Sequence, residues 1–334
     1  MEFRPLGRSG LKVSVLSLGA MTFGDGGVFM KGVSSPDDEA RRVFDAAIDA
    51  GVNLVDTADV YSNGGSEVRT GEWIRGKRDT VLLATKCRFP MGPGPNGGGA
   101  SRHHILRSCE ASLKRLGTDV IDLYQIHLQD GTTPIEETMR ALDDLVRAGK
   151  IRYAGCSNYT GYRLTESLWA SDKRNLARFE SVQLQWSLAV RDAEREMIPA
   201  CRAFGLGVLV WSPLASGLLS GKYDRTTRPE GSRLASWGDS WKRMATERNF
   251  AVIDVLRAIA AVHETTPAAV ALAWLLTRPE TSSIILGART TDQLAGNLAA
   301  LTVQLTAGDV RQLDEVSAID WGYPYTMIGR SQPW

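Results

Sequence analysis

The chain has 334 residues, with 39 basic against 38 acidic side chains, four cysteines and nine tryptophans. Its 43% apolar and 23% charged residues are those of an ordinary globular protein, which excludes a disordered, fibrous or disulfide-built chain. A net charge of +1 removes the broad basic face that non-specific nucleic-acid or anionic-membrane binding needs. Length alone suggests two domains or one large barrel, at about 150 residues per domain.

The N-terminal stretch Met1–Gly10 carries Glu2, Arg4 and Arg8 and no apolar core, so no signal peptide is expected. Apolar runs such as Ala268 to Leu276 reach about half of the roughly 20 residues a bilayer requires. Cys87, Cys109, Cys156 and Cys201 form no C-x-x-C pair, so no metal site is expected. They read as buried or free thiols of a reducing, cytoplasmic compartment.

Short apolar runs alternate with longer amphipathic ones. A hairpin from Phe3 to Val13, turning at Ser9-Gly10, precedes strands at Val15–Leu18, Asn53–Asp56, Val81–Lys86, Val120–His127, Tyr153–Ser157, Ser181–Trp186, Gly207–Trp211 and Ser283–Gly287. Helices fall between them at Asp37–Ala50, Ser66–Arg75, Arg102–Leu116, Ile135–Ala148, Tyr162–Ala170, Ala193–Phe204 and Phe250–His263. Thr266–Thr277, Thr291–Leu298 and Ala307–Val316 continue the helical pattern. Ser35-Pro36, Thr133-Pro134 and Thr266-Pro267 each set a capping side chain ahead of a first-turn proline. Eight buried strands, each followed by a helix, point to a parallel sheet. With no linker-like break, they favour a (β/α)8 TIM barrel over an open doubly wound sheet. The fold expected is α/β, one domain over residues 1–334, with an N-terminal β-hairpin and a C-terminal helical extension.

Pro90–Gly99 and Ser220–Ala245 break this rhythm after the third and seventh strands, at the barrel mouth where active sites are built. The first contains a G-x-G-x-x-G by letter, but its glycines and prolines prolong a loop instead of opening a helix. Gly217 to Tyr223 only approaches a phosphate loop, since its glycine spacing is one short. His103, His104 and His263 sit at helix ends and read as surface caps.

The second strand ends at Asp56, the third at Lys86 and the fourth at His127, and Tyr61 follows Asp56 by five residues. In a barrel these tips converge at one mouth. A buried Lys86 ammonium, kept charged by Asp56, is expected to pull the Tyr61 pKa down. Tyr61 then suits protonation of a carbonyl oxygen, with His127 bonding the same oxygen. Such a set reduces carbonyls if a cofactor supplies hydride.

Several motifs then carry a resemblance. Asp56-Thr57-Ala58-Asp59-Val60-Tyr61 with Ser66-Glu67, Ala84-Thr85-Lys86, Ile121 to His127, and Gly155-Cys-Ser157-Asn158 are similar to the signature of the aldo-keto reductase superfamily. Trp211-Ser212-Pro213-Leu214 with Gly217, and Gly287-Ala288-Arg289 with Gln293 and Asn297, extend it, and the WSPL form resembles bacterial members akin to the potassium-channel β-subunit branch. The resemblance implies a barrel that binds NADPH (NADP). Tyr61 is then the general acid, Lys86 and Asp56 its tuning pair, and His127 the residue that orients substrate. It implies Ser157, Asn158 and Gln183 on the nicotinamide carboxamide and Trp211 stacked on the ring. Ser212, Leu214, Gly217, Lys222 and Arg233 would contact pyrophosphate, with Gly287 beside them. Arg289 would meet the 2′-phosphate, and Gln293 and Asn297 the adenine. Gly296 departs from the acidic residue usual before Asn297.

The reading is an NADPH-dependent carbonyl reductase acting on a small molecule, with no nucleic-acid or membrane partner. A nucleotide-binding regulatory subunit of the channel-β type and a Schiff-base aldolase using Lys86 are the alternatives. Trp186 and Met21 are expected at the substrate pocket, whose apolar and aromatic lining favours a hydrophobic carbonyl over a charged one. Trp241 and Trp237 are expected at that wall or packing the lid. Trp73, Trp169 and Trp274 are expected in helix packing.

Overall fold

The computed structural model describes residues 1–24, 34–226, 234 and 238–331. Strands β1 (Phe3–Pro5) and β2 (Lys12–Ser14) pair antiparallel, Phe3 opposite Ser14. The next eight strands run parallel: β3 (Leu16–Gly19), β4 (Leu54–Asp56), β5 (Leu82–Cys87), β6 (Ile121–Ile126), β7 (Ile151–Ser157), β8 (Phe179–Gln185), β9 (Gly207–Trp211) and β10 (Thr281–Leu286). They pair in chain order, and β10 returns to β3, closing the barrel. A closed sheet has no exposed edge to pair with another chain.

The helices surround it: α1 (Asp37–Asp49), α2 (Gly65–Trp73), α3 (Arg102–Leu116), α4 (Ile135–Arg147), α5 (Gly161–Arg174), α6 (Met197–Phe204), α7 (Gly238–Met244), α8 (Glu247–Val262), α9 (Pro267–Leu276), α10 (Thr291–Leu298), α11 (Ala307–Val316) and α12 (Tyr325–Ser331). Helix α7, within the loop after β9, and α12 in the tail have no counterpart in the sequence reading. Both are seven residues long, too short for hydrophobic periodicity to stand out. No single helix among the described residues is long and apolar enough to cross a membrane.

Side chains alternate between the two faces of each strand. The outward set packs on the helices in a large core that includes Leu16, Val55, Leu83, Tyr124, Val182 and Val208. The inward set is a separate cluster of Leu54, Ala84, Leu123, Leu209 and Ile285, plugged from the N-terminal end by Leu6 and Val13 of the hairpin. The plug sits tight. A Cβ on Gly7, whose φ is +60°, would lie 2.6 Å from the Gly207 nitrogen.

Three local expectations change. Only Thr266 caps its helix as expected, accepting from the Ala269 N–H with Pro267 in the first turn. Before α1 and α4 the proline itself takes the capping position, and Ser35 and Thr133 donate instead to the Arg289 carbonyl and the Asp130 carboxylate. Acidic residues in those first turns, Asp37 to Glu39 and Glu136 with Glu137, meet the helix dipole instead. His104 is buried against Ser108, not a surface cap, and His263 pairs with Asp309 at 3.0 Å. Trp169 is exposed, with the Lys173 ammonium 4.6 Å over its ring, whereas Trp73 and Trp274 pack inside. All four cysteines are buried and free.

Leu123→Ala should destabilise the fold by about 2–5 kcal/mol in urea unfolding, because the sealed inner cluster cannot collapse around the cavity. Val262→Ala, at an exposed site, should change stability by less than about 0.5 kcal/mol. Equal effects would show that the inner cluster carries no packing energy.

Candidate active site

The period of two places a polar layer directly above the inner apolar one. Two residues beyond Leu54, Ala84, Leu123 and Leu209 on the same strands stand Asp56, Lys86, Gln125 and Trp211. Further along the mouth come Ser157 at the end of β7, Gln183 on β8 and His127 just past β6. Tyr61 opens the helical turn after β4 and leans back over the barrel.

Lys86 is fully buried and donates to Asp56 Oδ2 at 2.5 Å and to the Thr57 carbonyl at 2.8 Å. Its Nζ lies 3.4 Å from Tyr61 Oη and 4.9 Å from that ring's centre. The other Asp56 oxygen accepts from Gln125 at 3.1 Å and from Gln183 at 2.8 Å. Burial works against the ammonium, but the charge of Asp56 beside it wins and holds the Lys86 pKa above its ordinary value.

The expected depression of Tyr61 is overturned. Burial, the largest influence, raises the phenol above its ordinary value, and the opposing pull of Lys86 does not offset it. His127 is held well below the usual histidine range by burial and then by the charges of Lys86 and Arg88, so its imidazole is neutral. Its ring stands edge-on to Tyr61 and Phe89, with centres 5.6 and 4.9 Å away, and its Nδ1 is buried without a protein partner. Asp59, which lies in the Asp56-to-Tyr61 motif without a role of its own there, is buried beside this group. Burial first, then Glu67, pushes its carboxyl up to about 8, against the opposing pulls of Arg115, the Val60 backbone and Lys86.

The residues expected at a nicotinamide gather on the other side. Asn158 Nδ2 donates to the His127 carbonyl and to Ser157 Oγ, while its Oδ1 accepts from Trp211 Nε1 at 3.2 Å. Ser212 and Gly217 belong to a tight turn after β9, with φ of +52° and +90°. A Cβ on Gly217 would lie 3.6 Å from Lys222 Nζ, so the glycine keeps a backbone surface open beneath that amine. Leu214 lies between Ser212 and Gly217, just before the helical turn Ala215–Ser220, and Lys222 follows that turn. Arg289 lies past Gly287 at the tip of β10, its N–H donating to the Gln293 side chain, and Asn297 is buried on α10. Arg233 and Trp237 lie outside the described residues. Met21 is half-buried just beyond β3.

Trp186 is not at the pocket. Gln183 faces inward, so the residue three further on faces outward, and the indole packs edge-on to Trp274 and donates to Glu194 at 2.9 Å. Trp241 packs on Tyr223 and Phe250. Gln125 was missed, although it stands two residues before His127 on a strand whose inward parity His127 had already set. Among the described residues, no three His, Cys, Asp or Glu side chains group to hold a metal.

Known proteins agree with this architecture. The chain is 37% identical over 328 residues to an uncharacterised oxidoreductase, YrpG, of Bacillus subtilis, covering 95% of this chain and 96% of the relative. It is 37% identical over 314 residues to a probable voltage-gated potassium channel subunit beta of Arabidopsis thaliana, covering 91% and 92%. With versiconal hemiacetal acetate reductase of Aspergillus parasiticus it shares 35% over 335 residues, 94% and 96% of the two chains. The profile of the aldo/keto reductase family matches residues 15–318, every barrel strand included, and the chain belongs to that family.

Proposed function

We propose that the protein reduces an aldehyde or ketone to its alcohol with NADPH, using Tyr61 as general acid. The observation that carries this reading is a phenol hydroxyl 3.4 Å from a buried ammonium that a carboxylate binds at 2.5 Å. The polar atoms at the mouth fit a nicotinamide dinucleotide. Asn158 Oδ1 retains a lone pair, and Ser157 keeps a hydroxyl proton to donate, as a carboxamide requires. Gln183 donates its amide N–H to Asp56 and has its amide oxygen left to accept. Trp211 would lie against the ring, Ser212, Leu214, Gly217 and Lys222 would take the phosphates, and Gln293 and Asn297 the adenine. The bound dinucleotide supplies the hydride.

Tyr61 donates its proton to the carbonyl oxygen as that oxygen gains charge, and Lys86 stabilises the phenolate left behind. Neutral His127 gives an N–H to the same oxygen and fixes which face of the carbonyl meets the cofactor. A Schiff-base role for Lys86 finds no support, because an ammonium held protonated by Asp56 has no lone pair for attack. The likeness to proteins named channel β subunits supports a second reading, a nucleotide-binding subunit with little turnover. Negligible NADPH oxidation by the wild type over a broad carbonyl panel would favour it.

Tyr61→Phe should lower kcat for carbonyl reduction by about 10²–10⁴-fold. Cofactor binding, read as quenching of tryptophan fluorescence, should persist, and undiminished turnover would exclude Tyr61 as the acid.

The pH profile of reduction should be flat through pH 6.5. His127 is already neutral there, and Tyr61, with its raised pKa, stays protonated until well into the alkaline range. Alcohol oxidation, which needs the phenolate, should rise over that same alkaline range. A reduction limb near pH 6.5 that His127→Gln abolishes would contradict the neutral imidazole.

Arg289 has no acid partner among the described residues, which supports a phosphate role. Arg289→Ala should raise the KM for NADPH about tenfold or more and leave that for NADH nearly unchanged. Equal effects on both would remove the argument for NADP.

A further inference from the structure

We propose that Arg88 selects the substrate by holding an anionic group, a carboxylate or phosphate, on the carbonyl compound reduced at Tyr61. This rests on the reductase reading and replaces the expectation of an uncharged, hydrophobic substrate.

Arg88 follows the last residue of β5 and stands two residues beyond Lys86. The neighbouring Cys87 carbonyl accepts from the His127 N–H at 2.8 Å, so Arg88 adjoins the residue expected to bind the carbonyl oxygen. Its guanidinium lies 5.7 Å over the Phe89 ring, whose edge-on neighbour at 4.9 Å is His127. Among the described residues the side chain makes no hydrogen bond or ion pair, and its Nε is buried without a partner. Lys86, by contrast, is matched by Asp56. Arg88 therefore brings an uncompensated charge to the substrate side of the reacting centre. Its field reaches His127, where it counts among the causes that keep the imidazole neutral.

The barrel order shows which ligand an anion here would belong to. In the closed sequence β10-β3-β4-β5-β6-β7-β8-β9, β5 lies four strands from β9 in either direction. Ser212, Gly217 and Lys222 follow β9, so the phosphates of a dinucleotide held by them would lie at the opposite rim. An anion at Arg88 would be the substrate's own.

The backbone fixes the base of this arm. Arg88 has φ of +129°, a conformation L residues avoid and one that persists only where the surroundings enforce it. Its carbonyl accepts from Gly99 N at 2.8 Å, Met91 N donates to the Gly97 carbonyl at 2.9 Å, and Ala100 N is held by Asp130 at 2.8 Å. The Pro90–Gly99 loop is thereby closed on itself, with the guanidinium at its foot. A planar fork of donors rooted on a fixed backbone suits bidentate recognition of a carboxylate or phosphate.

The test uses two matched pairs with NADPH: 4-carboxybenzaldehyde against methyl 4-formylbenzoate, and glyceraldehyde 3-phosphate against glyceraldehyde. The wild type should favour the anionic member of at least one pair about tenfold or more in kcat/KM, and which pair does so separates carboxylate from phosphate. In Arg88→Gln that ratio should fall about ten- to a hundredfold, chiefly through KM, and Arg88→Lys, which keeps charge but not the fork, should retain part of it. Equal use of both members by the wild type, or an undiminished ratio in Arg88→Gln, overturns the proposal while carbonyl reduction stands. No reduction of any of the four by the wild type defeats the reductase reading and this inference with it.

Discussion

Everything at the mouth is organised around one ammonium that water does not reach. Removing a Lys from water costs several kcal/mol unless a partner offsets it. The partner must also be held still, since a carboxylate free to rotate would leave the ammonium orphaned. Asp56 is held from four strands: it sits on β4 and accepts from Lys86 on β5, Gln125 on β6 and Gln183 on β8. The same contacts bind the barrel across its interior. Below them, the hairpin and the inner apolar cluster keep water from entering at the other end. The low-dielectric floor strengthens the ion pair that sits on it.

Strand parity made much of this legible in the sequence. Once Asp56, Lys86 and His127 are taken as inward tips, the alternation assigns the facing of every neighbour. Applied consistently, it finds Gln125 and rejects Trp186, whose odd spacing from Gln183 turns it to the helices. What parity cannot supply is degree of burial. The rise of the Tyr61 pKa, the neutral acid of Asp59 and the burial of His104 against Ser108 all follow from how much water a site admits, a property of the assembled loops. The exposure of Trp169 has the same origin: α5 presents more surface than the barrel and its neighbours cover. Caps were misread for a related reason. Ser35 found a partner across loops, the Arg289 carbonyl, that local sequence does not reveal, and Thr133 turned back to Asp130, three residues before it.

Backbone strain marks where the fold gives way to function. Among the described residues, nine non-glycine positions have positive φ, and seven of them, Ser62, Asn63, Arg88, Asn158, Ser212, Ala215 and Ser216, lie in loops leaving the C-terminal ends of barrel strands. Strands are rigid and aim their side chains only to one face of the sheet or the other. Turning a donor across the mouth needs a sharp break just past the tip, which these residues supply at some cost in stability. The barrel's closed ladder, with no edge to fray, is what tolerates that cost.

The charge layout then explains a reluctant acid. Lys86 is cancelled by Asp56, Asp59 is neutral below about pH 8, and the His127 imidazole and the Tyr61 phenol are uncharged at neutral pH. Apart from Arg88 at its rim, the centre has almost no net charge before reaction. A phenol in such surroundings does not ionise early, so no phenolate stands ready to compete for the ammonium or repel an incoming carbonyl. Its proton leaves only when an oxygen beside it becomes more basic, which happens as hydride reaches the carbonyl carbon. At that instant Lys86 faces a new anion 3.4 Å away, and the attraction that was idle in the ground state is expressed in the transition state. Raising the Tyr61 pKa, which looks like a handicap for an acid, confines proton transfer to the one moment when it lowers the barrier.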